Sequence, residues 1–304
     1  GPVPAVIPFA TEEEALEIAN DSDYGLSAGI FTNDLERAHR FARDVVAGQV
    51  YVNEWFAGGV ETPFGGHRDS GFYIGQCKPC YARIEDVRSE HNAIGYSGTN
   101  AGGYLTVANS VWRHNKAGVV PNTLDSEADP PQDAARIEGN LVEHNSNDDA
   151  PDAAFGYATS GVGISVAGGI NNEVFDNEVR GHANYGIAVL PMIDDNLYRP
   201  RNNVVRGNTV SESGRVDLAL GAPQAGDNRF VDNDAGSSRP GHLTGGLRLL
   251  GGDPAVTVTL LEQYLQLENG DAPMGDWQNA PEPPFDELES MPNPERAPRE
   301  AVRR

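Results

Sequence analysis

Three sets of residues in this sequence have types and spacings that can do chemistry. The first is acidic. Asp125, Glu127 and Asp129 fall in the polar stretch 122–135, and Asp194 and Asp195 fall in 192–201 with Tyr198, Arg199 and Arg201. Carboxylates held about 5–10 Å apart can cleave glycosidic bonds as acid and base or nucleophile. Crowded carboxylates also hold Ca2+ through oxygen ligands, and an arginine can take a proton or grip an acid group on a substrate. Asp125, Glu127, Asp194, Asp195 and Arg199 are therefore the expected catalytic groove. Asp125, Glu127, Asp129, Asp194 and Asp195 are the expected Ca2+ ligands. The alternative is a solvated acidic surface. The second set is Cys77-Lys78-Pro79-Cys80, the only cysteines in the chain. Such a pair can be redox-active, half a zinc site or a local disulfide. Zinc needs two further ligands, and the expectation is a Cys77–Cys80 disulfide in an oxidising compartment. The third set is His91, His114 and His144, each followed by an asparagine. They can bind a metal or stack as a turn, and the stacked turn is expected.

These residues are positioned by repeats. Asn172-Glu173-Val174-Phe175-Asp176-Asn177 returns as Asn203-Val204-Val205-Arg206-Gly207-Asn208 and as Asn228-Arg229-Phe230-Val231-Asp232-Asn233, with a looser copy at Ile137-Glu138-Gly139-Asn140. A second motif, Gly163-Ile164-Ser165-Val166 or Gly186-Ile187-Ala188-Val189, precedes these copies. Gly71, Gly95 and Gly118 are 24 and 23 residues apart, and Gly163 and Gly186 are 23 apart. Periods of this length mark a stacked solenoid. A unit so short, with its turns, has no room for a helix, so short strands must pair in register between units about 4.8 Å apart. Asparagines recur in two rows, Asn92, Asn115, Asn145 and Asn140, Asn177, Asn208, Asn233. There they suit left-handed turns and can ladder their amides. The stretches 122–135 and 192–201 occupy the same turn of their units, as do the short turns 99–103 and 167–170. Long loops on one side of a solenoid wall a groove. Another insertion, 146–160, leaves a different turn.

The repeats resemble the right-handed parallel β-helix, the pectate-lyase-like superfold, over residues 70–235. That fold hosts lyases, hydrolases, epimerases and plain binding proteins, so the resemblance implies architecture more than activity.

The flanks read differently. Residues 3–9 form a short apolar strand, and Thr11 caps a helix opened by Glu12, Glu13 and Glu14. Residues 25–31 form another strand, Asp34 or Asn33 caps a second helix through Val46, and residues 49–53 form a third strand. This alternation is α/β. Gly1-Pro2-Val3, Asn20-Asp21, Tyr24-Gly25-Leu26-Ser27-Ala28-Gly29, Gly48-Gln49-Val50-Tyr51-Val52-Asn53 and Pro63-Phe64-Gly65-Gly66-His67-Arg68-Asp69-Ser70-Gly71-Phe72 are similar to the C-terminal part of an aldehyde dehydrogenase. The resemblance implies Phe64 as a cofactor-contacting remnant. The family's nucleophile, general base and nucleotide-binding domain lie upstream of that part, so no working NAD(P) site and no aldehyde oxidation are expected. Gly75-Gln76-Cys77 imitates the family's nucleophile motif on the wrong side. Ser70-Gly71-Phe72 closes one resemblance and opens the other, as a recombination or sequence-assembly chimera would, or a natural fusion.

Composition bounds the partners. The 304 residues carry 45 Asp and Glu against 22 Lys and Arg, a formal net charge of −23. That argues against nucleic acid and anionic membranes. No apolar run approaches the roughly 20 residues of a membrane span. The chain begins at Gly1 rather than Met, so a fragment or processed product is expected. The expected organisation is mainly β. It comprises an incomplete α/β segment at 1–72, a β-helix at 73–235 and a capping segment at 236–270 with a helix begun at Thr259. A Pro-rich acidic tail, expected to be disordered, follows at 271–304. The expected function is binding or processing of a polysaccharide, extracellular or in the cell envelope. The alternatives are a noncatalytic structural or surface protein, or an NAD(P)-dependent aldehyde dehydrogenase by virtue of residues 1–72, cytoplasmic if that segment defines the gene and with no activity expected.

Overall fold

A repeated strand cannot bury its apolar side alone, so the order of strand pairing decides the architecture. The computed structural model describes residues 7–21, 27–32, 34, 37, 40–41, 44–45, 49–52, 70–150, 159–241, 243 and 251–270. The fold is mainly β, with parallel sheets and few helices.

Three parallel sheets take one strand each from successive repeats. The first contains Arg83–Glu85, Gly102–Ala108, Asp133–Glu138, Glu173–Phe175, Val204–Arg206 and Arg229–Val231 in spatial order. The second contains Arg88–Glu90, Val111–Arg113, Leu141–Glu143, Glu178–Arg180, Thr209–Ser211 and Asp234–Ala235. The third contains Ser70–Tyr73, Ile94–Thr99, Ala117–Asn122, Val162–Ala167, Tyr185–Leu190, Val216–Leu220 and Ser238–Arg239. The apolar residue of each short motif therefore lands on one rung of one row. Ile84, Val107, Ile137, Val174, Val205 and Phe230 are aligned by register in the first sheet. Trp112, Val142, Val179 and Val210 align in the second. Phe72, Tyr96, Val119, Ile164, Ile187 and Leu218 align in the third. These rows meet in one continuous core.

The corners are held by amides. Asn92, Asn115 and Asn145 pass hydrogen bonds up one row, each backbone N–H donating to the Oδ1 of the next. Asn140, Asn177, Asn208 and Asn233 do the same on a second row. Both expected ladders are present. A third, Asn172, Asn203 and Asn228, was not anticipated, although the repeated motif carries an asparagine at both ends. Leaving such buried groups unpaired costs about 1–3 kcal/mol each, which is why the corners are specific. Glycine enters where neighbouring units approach. A Cβ on Gly118 would stand 2.3 Å from the carbonyl oxygen of Gly163.

The flanks correct several expectations. In the first segment the helix is Glu12–Asn20, with Thr11 Oγ1 accepting from the Glu14 N–H at 3.2 Å. Strands Ser27–Ile30 and Gln49–Val52 pair in parallel. Asp34 caps the turn before Arg37 at 3.1 Å. The residues described from the expected strand at 3–9, Ile7 to Phe9, lie outside any strand and are exposed. Ser70 pairs with Ile94, so the first strand of the stacked repeats starts within the Ser70-Gly71-Phe72 word that the two resemblances share. At the other end the helix is Pro254–Glu268. Asp253 caps it through the Ala255 N–H at 2.8 Å, while Thr259 lies in its interior and bonds the Ala255 carbonyl. Thr259 is thus not the cap. Proline suits the first helical position because its missing N–H has no partner there anyway. The helix packs Val256 and Leu260 on Val162, Tyr185, Ala188, Leu190 and Ala219. Ile187 and Val189 of the same strand belong to the core, so the helix covers the outer face of the third sheet instead of the end of the stack. The tail, residues 271–304, lies outside the described residues.

Candidate functional site

The two long insertions leave the corner between the third and first sheets, and they meet. Residues 192–201 form a small antiparallel hairpin, Met192–Ile193 with Leu197–Tyr198. Asp125 inserts into its tip. One carboxylate oxygen accepts from the Asn196 N–H at 2.7 Å, and the other accepts from Asn196 Nδ2 at 2.8 Å and from the Tyr198 hydroxyl. The Asp125 N–H donates to Asp194 Oδ2 at 2.8 Å. The Tyr198 hydroxyl, then Asn196, holds the Asp125 carboxyl below its ordinary value, and the same bond pushes Tyr198 up to about 12. Both oxygens of Asp125 are thereby occupied, and its chemistry is that of a clasp.

The rest of the 122–135 insertion leans the other way, toward the first repeat. Tyr73 donates its hydroxyl to Glu127, and the Ala128 N–H donates to Gln76 Oε1 at 3.3 Å. Lys78 Nζ donates to the carbonyls of Asp129, at 3.0 Å, and Pro131. Burial raises the Glu127 carboxyl above the usual carboxylate range, against the lowering effect of the Tyr73 bond. Burial, then Glu127, raises Tyr73. The expected acids are thus divided. Asp125 and Asp194 meet at the hairpin, with Asp195 and Arg199 exposed beside them. Glu127 sits with Tyr73, and Asp129 offers a backbone carbonyl. Among the described residues no three His, Cys, Asp or Glu side chains gather where a metal ion could be held. The five expected Ca2+ ligands are not brought together. Tyr73 and Asn196 were missed as partners; Tyr73 lies 54 residues upstream of Glu127, and only the repeat register relates the two.

The remaining candidates are structural. Cys77 and Cys80 are joined as a disulfide with Cα atoms 5.0 Å apart. His91, His114 and His144 stack, with ring centroids 5.6 and 6.0 Å apart. Burial, then the neighbouring His91, holds His114 below its ordinary value. Outside these candidates, Asp217 accepts from the Gly236 N–H at 3.1 Å and the Ser237 hydroxyl at 2.9 Å, which ties two neighbouring repeats together. Phe64 lies outside the described residues.

Comparison with known proteins bears mostly on the beginning of the chain. Residues 1–80 match the aldehyde dehydrogenase family. 4-Trimethylaminobutyraldehyde dehydrogenase A of Danio rerio is 44% identical over 99 residues, 29% of this chain and 20% of that protein. The Mus musculus enzyme of the same name is 43% identical over 99 residues, with the same coverage. An NADP/NAD-dependent aldehyde dehydrogenase of Escherichia coli is 52% identical over 71 residues, 23% of this chain and 14% of that protein. The chain spans about a fifth of the length of the first two of these relatives. A solved double mutant of the periplasmic alginate epimerase AlgG superposes with a TM-score of 0.28 at 13% identity, over 68% of this chain and 55% of that one. The family match runs past Ser70 into the first strand of the stacked repeats.

Proposed function

We propose that the stacked repeats form a right-handed parallel β-helix that binds or processes a polysaccharide outside the cytoplasm. One strand per repeat in each of three parallel sheets supports the architecture. The groove rests on one observation: the two long insertions rise from the same corner and are tied to each other through Asp125. They make one wall. Beside it Glu127 is an acid whose burial favours the protonated form, and such a carboxyl can deliver a proton to a leaving oxygen. Asp194, Asp195 and Arg199 stand on the hairpin to meet substrate.

The test is incubation with soluble neutral glucans and with polygalacturonate, followed by assays for reducing ends and unsaturated products. Turnover abolished by Glu127→Gln, with binding retained, supports an enzyme. Binding without turnover supports the second reading, a noncatalytic surface protein. No binding of any polymer rejects the groove.

For the first segment we propose a stretch of aldehyde dehydrogenase type, joined to the repeats at 70–72, that oxidises no aldehyde in this chain. The sulfur of Cys77, in the stretch that imitates a nucleophile motif, is bonded to Cys80, and a thiolate is what aldehyde oxidation requires. Reduction of NAD or NADP by this chain with an aldehyde would refute that. Sequencing of the source locus across codons 60–80 tests the junction: an intact frame in independent isolates excludes an assembly chimera.

A further inference from the structure

Two exposed rings stand on the corner that carries the wall. Tyr81 and Tyr104 are 80% and 68% exposed, and they stack with centroids 4.9 Å apart and planes 11° from parallel. The separation is the spacing between strands, so the rings occupy successive rungs at the entrance to the first sheet. Large rings left together in water mark a surface that something covers.

The row they begin is interrupted. Gly102 pairs with Asp133 and Leu105 with Ala135, so Gly103 and Tyr104 both face the single residue Ala134. An alanine cannot continue the stack of rings. On the rungs beyond, Asn171 Nδ2 donates to Asp133 Oδ1 at 2.8 Å, and Asn202 Nδ2 donates to Asn171 Oδ1 at 3.1 Å. Ala134, Asn171 and Asn202 share the same left-handed backbone, with φ of 51°, 57° and 57°. The row reads Tyr81, Tyr104, Ala134, Asn171, Asn202: two rings, one rung with only a methyl group, then a ladder of amides that starts two rungs beyond Tyr104. Two rungs span about 9–10 Å.

We infer that this row is a sugar subsite, with a neutral pyranose stacked on Tyr104 above Ala134 and its hydroxyls bonded by Asp133 and Asn171. The inference rests on the polysaccharide reading and names the class of glycan. A pyranose has an apolar C–H face, which gains dispersion and weak C–H contacts on an aromatic ring, and a rim of hydroxyls, which suits amides and a carboxylate. Nucleic acid bases stack on such rings too, but a chain of net charge −23 repels phosphates. The same charge disfavours polyuronates, which leaves a neutral chain.

Isothermal titration with cellohexaose, mannohexaose, xylohexaose and hexagalacturonate decides it, using wild type, Tyr104→Ala, Tyr104→Phe and Tyr81→Ala. The expected result is that a neutral hexamer binds wild type more tightly than hexagalacturonate. Tyr104→Ala should then lose about tenfold or more in affinity, Tyr81→Ala less, and Tyr104→Phe almost nothing. Both tyrosines are exposed, so these variants should fold; unchanged circular dichroism and thermal midpoint confirm it. If wild type binds a neutral hexamer and Tyr104→Ala binds it equally, the subsite is wrong and the groove stands. Tighter binding of hexagalacturonate overturns the neutral class. Failure of wild type to bind any of the four defeats the subsite and the polysaccharide reading together.

Discussion

His182 breaks an asparagine ladder, and its substitution gives a calculable change in acid stability. The register that pairs Leu141 with Glu178 puts His182 on the rung after Asn145. Its Nδ1 accepts from the Asn145 N–H at 3.3 Å and its Nε2 lies 3.2 Å from the Val142 carbonyl, which it serves as donor. That arrangement is a neutral imidazole. A proton on Nδ1 would face the Asn145 N–H, donor against donor. The side chain is 1% exposed, and burial lowers its value from 6.5 to about 4. The sign follows. A histidine depressed in the folded state contributes in full above the unfolded value, and its contribution falls as pH drops from about 6.5 to about 4. Some 2.5 pH units at about 1.4 kcal/mol each give about 3.5 kcal/mol in full, of which about 3 kcal/mol is lost by pH 4. His182→Asn removes this titration and restores the residue used on the preceding rungs. Urea unfolding of both proteins at pH 7, 6, 5 and 4 should show wild type losing about 3 kcal/mol more than the variant. Parallel loss of stability by the two proteins would refute the reasoning.

Three further outcomes are expected. Asn177→Ala deletes an amide that donates to the Ile137 and Phe175 carbonyls and to Asn208, and accepts from Asn140. It should cost about 2–4 kcal/mol in chemical denaturation, and a cost under about 0.5 would show the ladder to be incidental. Asp125→Ala frees the hairpin from the 122–135 insertion, so trypsin should cut after Arg201, Arg199 being protected by the following Pro200, well before it does in wild type; equal resistance would show that Asp125 is not the clasp. Without reductant, Cys77 and Cys80 should resist alkylation in native protein and label fully after reduction, and labelling before reduction would contradict the disulfide.

The repeats were legible because one residue type at a fixed spacing has one physical use. Asn177 and Asn208 recur where a left-handed turn precedes a strand, and the Gly-Ile-Ala-Val motif alternates as a pleated strand must. The clasp was half legible. Equal position in the repeat brought 122–135 and 192–201 to one corner, but nothing in the order of residues says that Asp125 turns toward Asn196 while Glu127 turns toward Tyr73. Those choices follow from loop packing, which has no period. The helix Pro254–Glu268 was misplaced at its start because Thr259, a good capping residue, also bonds back to the carbonyl four residues earlier inside a helix. Tyr81 and Tyr104 were passed over because a pair of exposed rings gains meaning only when the register puts them on adjacent rungs.

The most direct measurement for the glycan groove is hydrogen–deuterium exchange of the whole chain with and without the best-bound hexasaccharide. Slowed exchange confined to residues 102–104, 122–135, 171 and 192–201 is the predicted result. Protection of the second sheet with none at this corner, or binding with no protected segment in the stacked repeats, would contradict it.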